Sequence, residues 1–241
     1  MAWLSEGERF FLAFNRDEAV ARSAALPPSQ REGERSFIAP QDPVGGGTWL
    51  AVSDEGTCFA LLNNYQASAA KATSAPARSR GEVVWQLAGS RDWSEQWKTI
   101  EAGIDDYAPF HLLVLQKNEV LLRNWDGKQM EEGSLDSQLG VFSSSSLLTK
   151  PAIAIREKSF WNYWKNRHEQ GIRMLQSFLD GRADDDRETS PMTDRGDRRT
   201  VSQSQIEIGG SKIAFRYREC QGSLESVGPW QNVVLDRKCN S

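Results

Sequence analysis

An apolar run, Phe10-Phe11-Leu12-Ala13-Phe14, ends abruptly in the polar tetrad Asn15-Arg16-Asp17-Glu18. Continuous rather than alternating apolarity predicts a strand from Arg9 to Asn15 that is buried on both faces. Such a strand delivers its polar end to one place. Burying Arg16 and Asp17 is costly unless both are hydrogen-bonded, so the pair reads as the floor of a site. The same two residues also read as a structural ion pair holding a strand end.

Further along, Ala24 to Glu34 carries Pro27-Pro28 and Gly33 and predicts a loop. Phe37 to Ala39 predicts a short extended piece stopped by Pro40, and the triple Gly45-Gly46-Gly47 predicts a turn. Two β-rich runs, Thr48 to Ser53 and Thr57 to Asn63, flank Asp54-Glu55-Gly56 and predict a hairpin whose second strand ends in Asn63-Asn64-Tyr65. Gln66 to Arg78, rich in Ala and Ser, predicts a mobile loop. Ser79 with Glu82 is a capping-box pattern that opens a helix through Leu87. Trp93, Trp97 and Ile100 recur at helical spacing and predict a helix ending near Gly103.

Phe110 to Leu115 and Glu119 to Trp125 predict a second hairpin about Lys117-Asn118. Gly140-Val141-Phe142 reads as a short strand leading into the serine run Ser143 to Ser146. Pro151 sits where a first-turn proline belongs, opening a long helical segment interrupted near Gly171 and ending near Gly181. The stretch 182–199 is dominated by charge and predicts an exposed loop. Thr200 to Ile208 alternates, turns at Gly209-Gly210 into Lys212 to Arg218, and Val233 to Leu235 reads as a last edge strand. Strands arriving as hairpins between helical segments give an α+β class: antiparallel sheets covered by helices, as one domain over 1–241.

Composition narrows the function. The chain is 39% apolar and 26% charged, with nine Trp, which suits a large aromatic core or a flat apolar ligand surface. A net charge of −4 gives no reason to expect nucleic acid. No apolar run approaches the roughly 20 residues of a membrane span, and the N-terminus lacks a basic region and a long apolar run, so no signal peptide is read. Cys58, Cys220 and Cys239 have no metal-ligand spacing and fit a reduced cytoplasm. With His111 and His168 as its two histidines, the chain cannot build a His-rich metal site, and no cofactor is expected. Asp184 to Asp186 reads as a solvated acidic loop rather than a Ca²⁺ or Mg²⁺ site.

The tetrad Asn15-Arg16-Asp17-Glu18 resembles the name-giving motif of the NRDE family, also called transport and Golgi organisation 2. Ala39-Pro40-Gln41-Asp42-Pro43 through Gly45-Gly46-Gly47-Thr48-Trp49-Leu50-Ala51-Val52 is similar to the family's Gly-Gly-Thr-Trp strand, and Leu61-Leu62-Asn63 to the end of its next strand. Weaker similarity continues at Ser79-Arg80-Gly81, in the serine run and at Arg199-Thr200-Val201-Ser202.

The resemblance implies the fold of N-terminal-nucleophile hydrolases, a four-layer αββα sandwich with antiparallel sheets. Amidohydrolases of that fold, such as penicillin V acylase and bile salt hydrolase, attack an amide carbonyl with an N-terminal Cys whose own α-amino group is the base. Carried over residue by residue, Arg16 and Asp17 become the orienting pair and Asn63 the oxyanion donor. Asn15, Trp49, Asn64, Ser144 and Ser145 become the surrounding ligand contacts. The family typically begins Met-Cys, whereas this sequence begins Met1-Ala2-Trp3. The nucleophilic Cys is absent, so either the start lies upstream or the chemistry has been lost. Cys58, inside a strand, reads as a packing residue. The expected function is an amidohydrolase-like site for a small-molecule amide, inactive without its Cys. The alternative is non-enzymatic binding or trafficking of a hydrophobic ligand such as haem, for which His111, His168 and the three Cys are the available axial ligands.

Overall fold

The computed structural model describes residues 1–68, 78–146, 149–181, 189–221 and 224–238. In chain order the strands are β1 (Ala2–Glu6), β2 (Arg9–Ala19), β3 (Leu26–Arg31), β4 (Phe37–Gln41), β5 (Leu50–Ser53) and β6 (Cys58–Asn63). Helices α1 (Tyr65–Ser68), α2 (Gly81–Gly89) and α3 (Trp93–Glu101) follow. Then come β7 (Phe110–Gln116), β8 (Glu119–Trp125), β9 (Met130–Leu135) and β10 (Leu139–Val141), and helices α4 (Thr149–Lys165) and α5 (Gly171–Leu179). Strands β11 (Arg198–Gly209), β12 (Lys212–Glu219) and β13 (Gln231–Asp236) complete the chain. These elements form two compact units, one of Met1–Ser23 with Ser137–Val234, the other of Ala24–Asp136 with the residues from Leu235 onward.

The first unit is a six-stranded sheet in the order β10-β1-β2-β11-β12-β13. Its ladders from β10 to β12 are antiparallel. Strand β2 lies inside the sheet between β1 and β11, which explains why Phe10 to Phe14 are buried without alternation. Phe11 and Ala13 pack with Ala2 and Leu4 against Phe160 of α4 and Met174, Leu175 and Phe178 of α5. Each such buried Phe or Leu contributes about 1.5–3 kcal/mol. The interruption expected near Gly171 is there. Gly171 opens α5 at φ +57°, where a Cβ would also press on the Phe11 ring.

The second unit is a seven-stranded antiparallel sheet in the order β3-β4-β5-β6-β7-β8-β9, with α2 and α3 covering one face. Val83, Val84 and Leu87 of α2 and Trp97 and Ile100 of α3 meet Phe37, Phe59, Leu61, Phe110, Leu112 and Trp125 of the sheet. Both expected hairpins are present, β5–β6 about Asp54-Glu55-Gly56 and β7–β8 about Lys117-Asn118. Gly47 and Gly81 touch backbone to backbone, with the Thr48 N–H donating to the Gly81 carbonyl at 3.1 Å. Together the units give the α+β class with antiparallel sheets.

Several expectations change. Pro27-Pro28, read as a loop, lies in β3, an edge strand whose register breaks between Leu26 and Ser29. Proline is tolerated at such an edge because no inner neighbour needs its N–H. Strands β1 and β9 were not anticipated. The first is five residues long, and the second is mostly exposed and polar, so neither carries a hydrophobic rhythm. Tyr65–Ser68 is a short helix where a mobile loop was expected, and 69–77 lie outside the described residues. In the stretch 182–199, read as exposed, 182–188 with Asp184 to Asp186 lie outside the described residues, while Thr189, Ser190, Met192 and Thr193 are buried. Thr200 and Ser202 to Gln205 of β11 are also buried, because β11 is an interior strand whose glutamines bond to side chains of α5 and β12.

The glycine contact yields a prediction. Gly47→Ala places its Cβ well inside van der Waals contact with Gly81 backbone atoms, which cannot step aside. It should destabilise by ~3 kcal/mol or more. Gly133→Ala, which meets nothing within 4 Å, should leave stability within about 0.5 kcal/mol. Denaturant unfolding of the two variants checks both.

Candidate active site

Successive residues of a strand project to opposite faces. Phe11 and Ala13 face α4 and α5, and so do Asn15 and Asp17; Arg16 and Glu18 face the other way. The anticipated Arg16–Asp17 pair therefore resolves into two separate engagements. Arg16, buried, meets Glu18 at 3.3 Å, and Glu18 also receives Arg22 at 3.6 Å and Arg198 at 3.9 Å.

Asn15 is tied to structure on its own side. Its amide nitrogen donates to the Leu179 carbonyl at 2.8 Å and the Pro191 carbonyl at 2.9 Å. Leu179 ends α5, so its carbonyl has no partner within the helix. The Asn15 amide oxygen accepts from Gln203 at 3.0 Å, and Gln203 in turn accepts from Arg218 and donates to Asp180. Both N–H groups of the Asn15 amide are thus committed internally.

Asp17 keeps 32% of its side chain exposed, yet both carboxylate oxygens are held. Thr200 Oγ1 donates to Oδ1 at 2.7 Å and Thr193 Oγ1 to Oδ2 at 3.2 Å. The same Thr193 hydroxyl accepts from Arg156 Nη2 at 2.9 Å and has the Ser190 carbonyl at 3.3 Å as a second acceptor. Arg156 rises from α4 and is 5% exposed. Its Nε donates to the Thr189 carbonyl, and Nη1 to Ser143 Oγ and the Ser144 carbonyl. Nη2 lies 4.0 Å from Asp17 Oδ2. Burial pulls the guanidinium below its ordinary pKa, Asp17 works against that, and Arg195 adds to it. Arg195 holds Ser145 Oγ at 2.9 Å.

The first residue completes the group. The Met1 α-amino nitrogen donates to the Phe142 carbonyl at 3.0 Å, and the Phe142 N–H returns a bond to the Met1 carbonyl. Burial, chiefly, and the charge of Arg156 lower the pKa of this amine to about 5, while Asp17 opposes them. An amine of that kind is largely neutral near pH 7, which is what a base requires.

Of the residues expected from sequence, Asp17 and Ser144 thus share one hydrogen-bonded cluster through Arg156 and Thr193, Ser145 is held beside it by Arg195, and the Met1 amine lies in the electrostatic field of Asp17 and Arg156. Arg156, Thr193, Thr200 and Ser143 join that cluster without having been anticipated. Arg156 had a signal: it lies on the buried stripe of α4 with Ala152, Ser159 and Phe160, where a charge demands partners. Thr200 had only the weak family similarity of Arg199-Thr200-Val201-Ser202, and Thr193 had no signal.

The other expected residues belong to the second unit. Asn63, at the end of β6, donates to Tyr65 Oη at 2.9 Å. Asn64, buried, donates to Asn124 Oδ1 and accepts from the Ala67 N–H. Trp49 is buried, with its carbonyl bonded to the Leu61 N–H. Burial pushes the Cys58 thiol well above its ordinary pKa and brings His111 down to about 4 against a bond to Asn124. In the first unit, burial pushes Cys220 up to about 11, and His168 is exposed past the end of α4. Cys239 lies outside the described residues.

A family model described as Transport and Golgi organisation 2 matches residues 4–221. No curated protein matches the chain in sequence. Among solved structures, a variant of conjugated bile acid hydrolase from Clostridium perfringens is 8% identical at TM-score 0.51, covering 100% of this chain and 97% of that one. A second mutant of conjugated bile acid hydrolase from that organism is 9% identical at TM-score 0.50, over 99% and 97%. At such identities the likeness shows the fold alone, the N-terminal-nucleophile-hydrolase α+β sandwich.

Arg156→Leu should cost ~3 kcal/mol of stability, because the Thr189 and Ser144 carbonyls lose a donor in a buried place. Arg156→Lys keeps the charge without the fork and should recover part of that loss. Chemical denaturation of both variants measures the difference.

Proposed function

The chain belongs to the Transport and Golgi organisation 2 family, and on that premise we propose that its first unit carries the support of an N-terminal-nucleophile amide-hydrolase site. The observation that carries this reading is the Met1 amine, buried and lowered to about 5, in the electrostatic field of an accessible carboxylate. In such a site the terminal amine accepts the proton of the first residue's own nucleophile as it attacks an amide carbonyl. Asp17 stabilises the ammonium that forms and is itself kept in place by Thr193 and Thr200. Arg156 fixes Thr193, so it acts as a positioning residue.

The side chain in the first position here is a thioether. A thioether has no proton to pass to the amine, so the reading is tested with a nucleophile in that position.

The test is to supply the missing group. A chain in which Met1→Cys is the exposed first residue, released by removal of a tag, should be acylated at that Cys by small activated amides or β-lactones. Intact-mass spectrometry reads the adduct. Adding Asp17→Asn should slow acylation on the order of 100-fold. A Cys chain that folds, shows native circular dichroism and gains no adduct from any such probe would count against the reading.

A further inference from the structure

Helix α4 buries one stripe, Ala152, Arg156, Ser159 and Phe160, and turns another outward. The outward stripe is not purely polar. Ile155 is 39% and Trp161 43% exposed, the Trp161 ring also meeting Phe160 edge-on at 5.2 Å. Lys150, Lys158 and Lys165 share the helix surface with them, at spacings of seven and eight residues. None of these lysines reaches a carboxylate within 4 Å among the described residues. The basic character continues past the helix in Arg167 and Arg173. Against these stand Glu157 and Glu169, and Glu169 is engaged by the Tyr163 hydroxyl at 3.1 Å. The whole chain is net −4, so this face runs opposite to the protein's overall charge.

We propose that the outward face of α4 docks on the surface of an anionic phospholipid bilayer. Its chemistry matches that surface in two independent ways. An exposed Trp and Ile offer apolar area at the depth where indole rings settle between headgroups and acyl chains. Lysines with uncommitted ammonium groups reach back to the phosphate level on their aliphatic stems and are drawn there by the negative surface potential. The helix lies on the bilayer and does not cross it, since no helix among the described residues is long and apolar enough to span. A nucleic acid is the weaker fit, because Ile155, Pro151 and Ala154 offer no stacking surface and Trp161 by itself makes no platform for successive bases. The inference stands apart from the reading of the Asp17 site and survives its failure.

Flotation of the full chain with vesicles tests it. The chain should rise with phosphatidylcholine vesicles containing about 30% phosphatidylserine at low salt, and be released at roughly 0.5 M salt. It should not rise with phosphatidylcholine alone. The triple variant Lys150→Glu, Lys158→Glu and Lys165→Glu should lower partitioning on the order of 100-fold. Ile155→Ser with Trp161→Ser should lower it at low salt as well, with all three lysines intact. All five side chains are solvent-exposed, so unchanged circular dichroism is expected for both variants. No flotation of the parent on the anionic vesicles, or a lysine variant that floats like the parent, overturns the proposal. Lysine-dependent binding to a single-stranded RNA homopolymer without flotation overturns it as well, and assigns the face to nucleic acid.

Discussion

A guanidinium removed from water must have its donors met and its charge answered, and much of the first unit follows from that requirement at Arg156. The side chain starts on the buried stripe of α4 and ends among carbonyls and hydroxyls from three segments. The serine run after β10, the buried segment about Thr189 to Thr193, and the end of β2 all converge on it. Any one of these could be placed otherwise at little local cost. Together they satisfy one buried cation, and so they are fixed relative to one another.

That convergence makes an accessible carboxylate possible without letting it wander. Asp17 faces solvent on one side, while two threonine hydroxyls hold its oxygens on the other. Arg156 donates to Thr193 Oγ1, and that hydroxyl donates in turn to Asp17. A chain of donation thus runs from helix to hydroxyl to carboxylate, and the Met1 amine sits in the field of both its charged ends. The opposite charges act on that amine in opposite senses, and burial decides the balance towards the neutral form.

The sheets were legible in the sequence wherever hydrophobic rhythm and turn chemistry agreed. Gly56 between two β-rich runs, and Trp93, Trp97 and Ile100 at helical spacing, had one physical reading each. Strand β9 was hidden because an exposed edge strand needs no apolar side chain, and β3 because its prolines read as a breaker. The site was half legible. Asp17 stood out as a charge at the end of a buried strand, but which partner it takes depends on the face it projects to, and residues 16 and 17 project to opposite faces. Asn15, in the same motif, turned out to serve the end of α5. Thr193 lies in a stretch whose charged neighbours suggested solvent, whereas Thr200 opens a run read as an alternating strand; pairing with β2 sets Thr200 beside Asp17, and Thr200 in turn holds Thr193.

Because the Met1 amine is lowered from 8.0 to about 5, the unfolded chain binds more protons than the folded one between those values. Stability should therefore rise with pH across that window and level off above it. The most direct measurement is an NMR titration of the α-amino group in the chain beginning at Met1, alongside its Asp17→Asn variant. The account predicts a midpoint near 5 in the parent and a lower one in the variant, since the carboxylate supports the ammonium. A midpoint near 8, unmoved by the substitution, would mean that the terminus is solvated and that Asp17 does not face it.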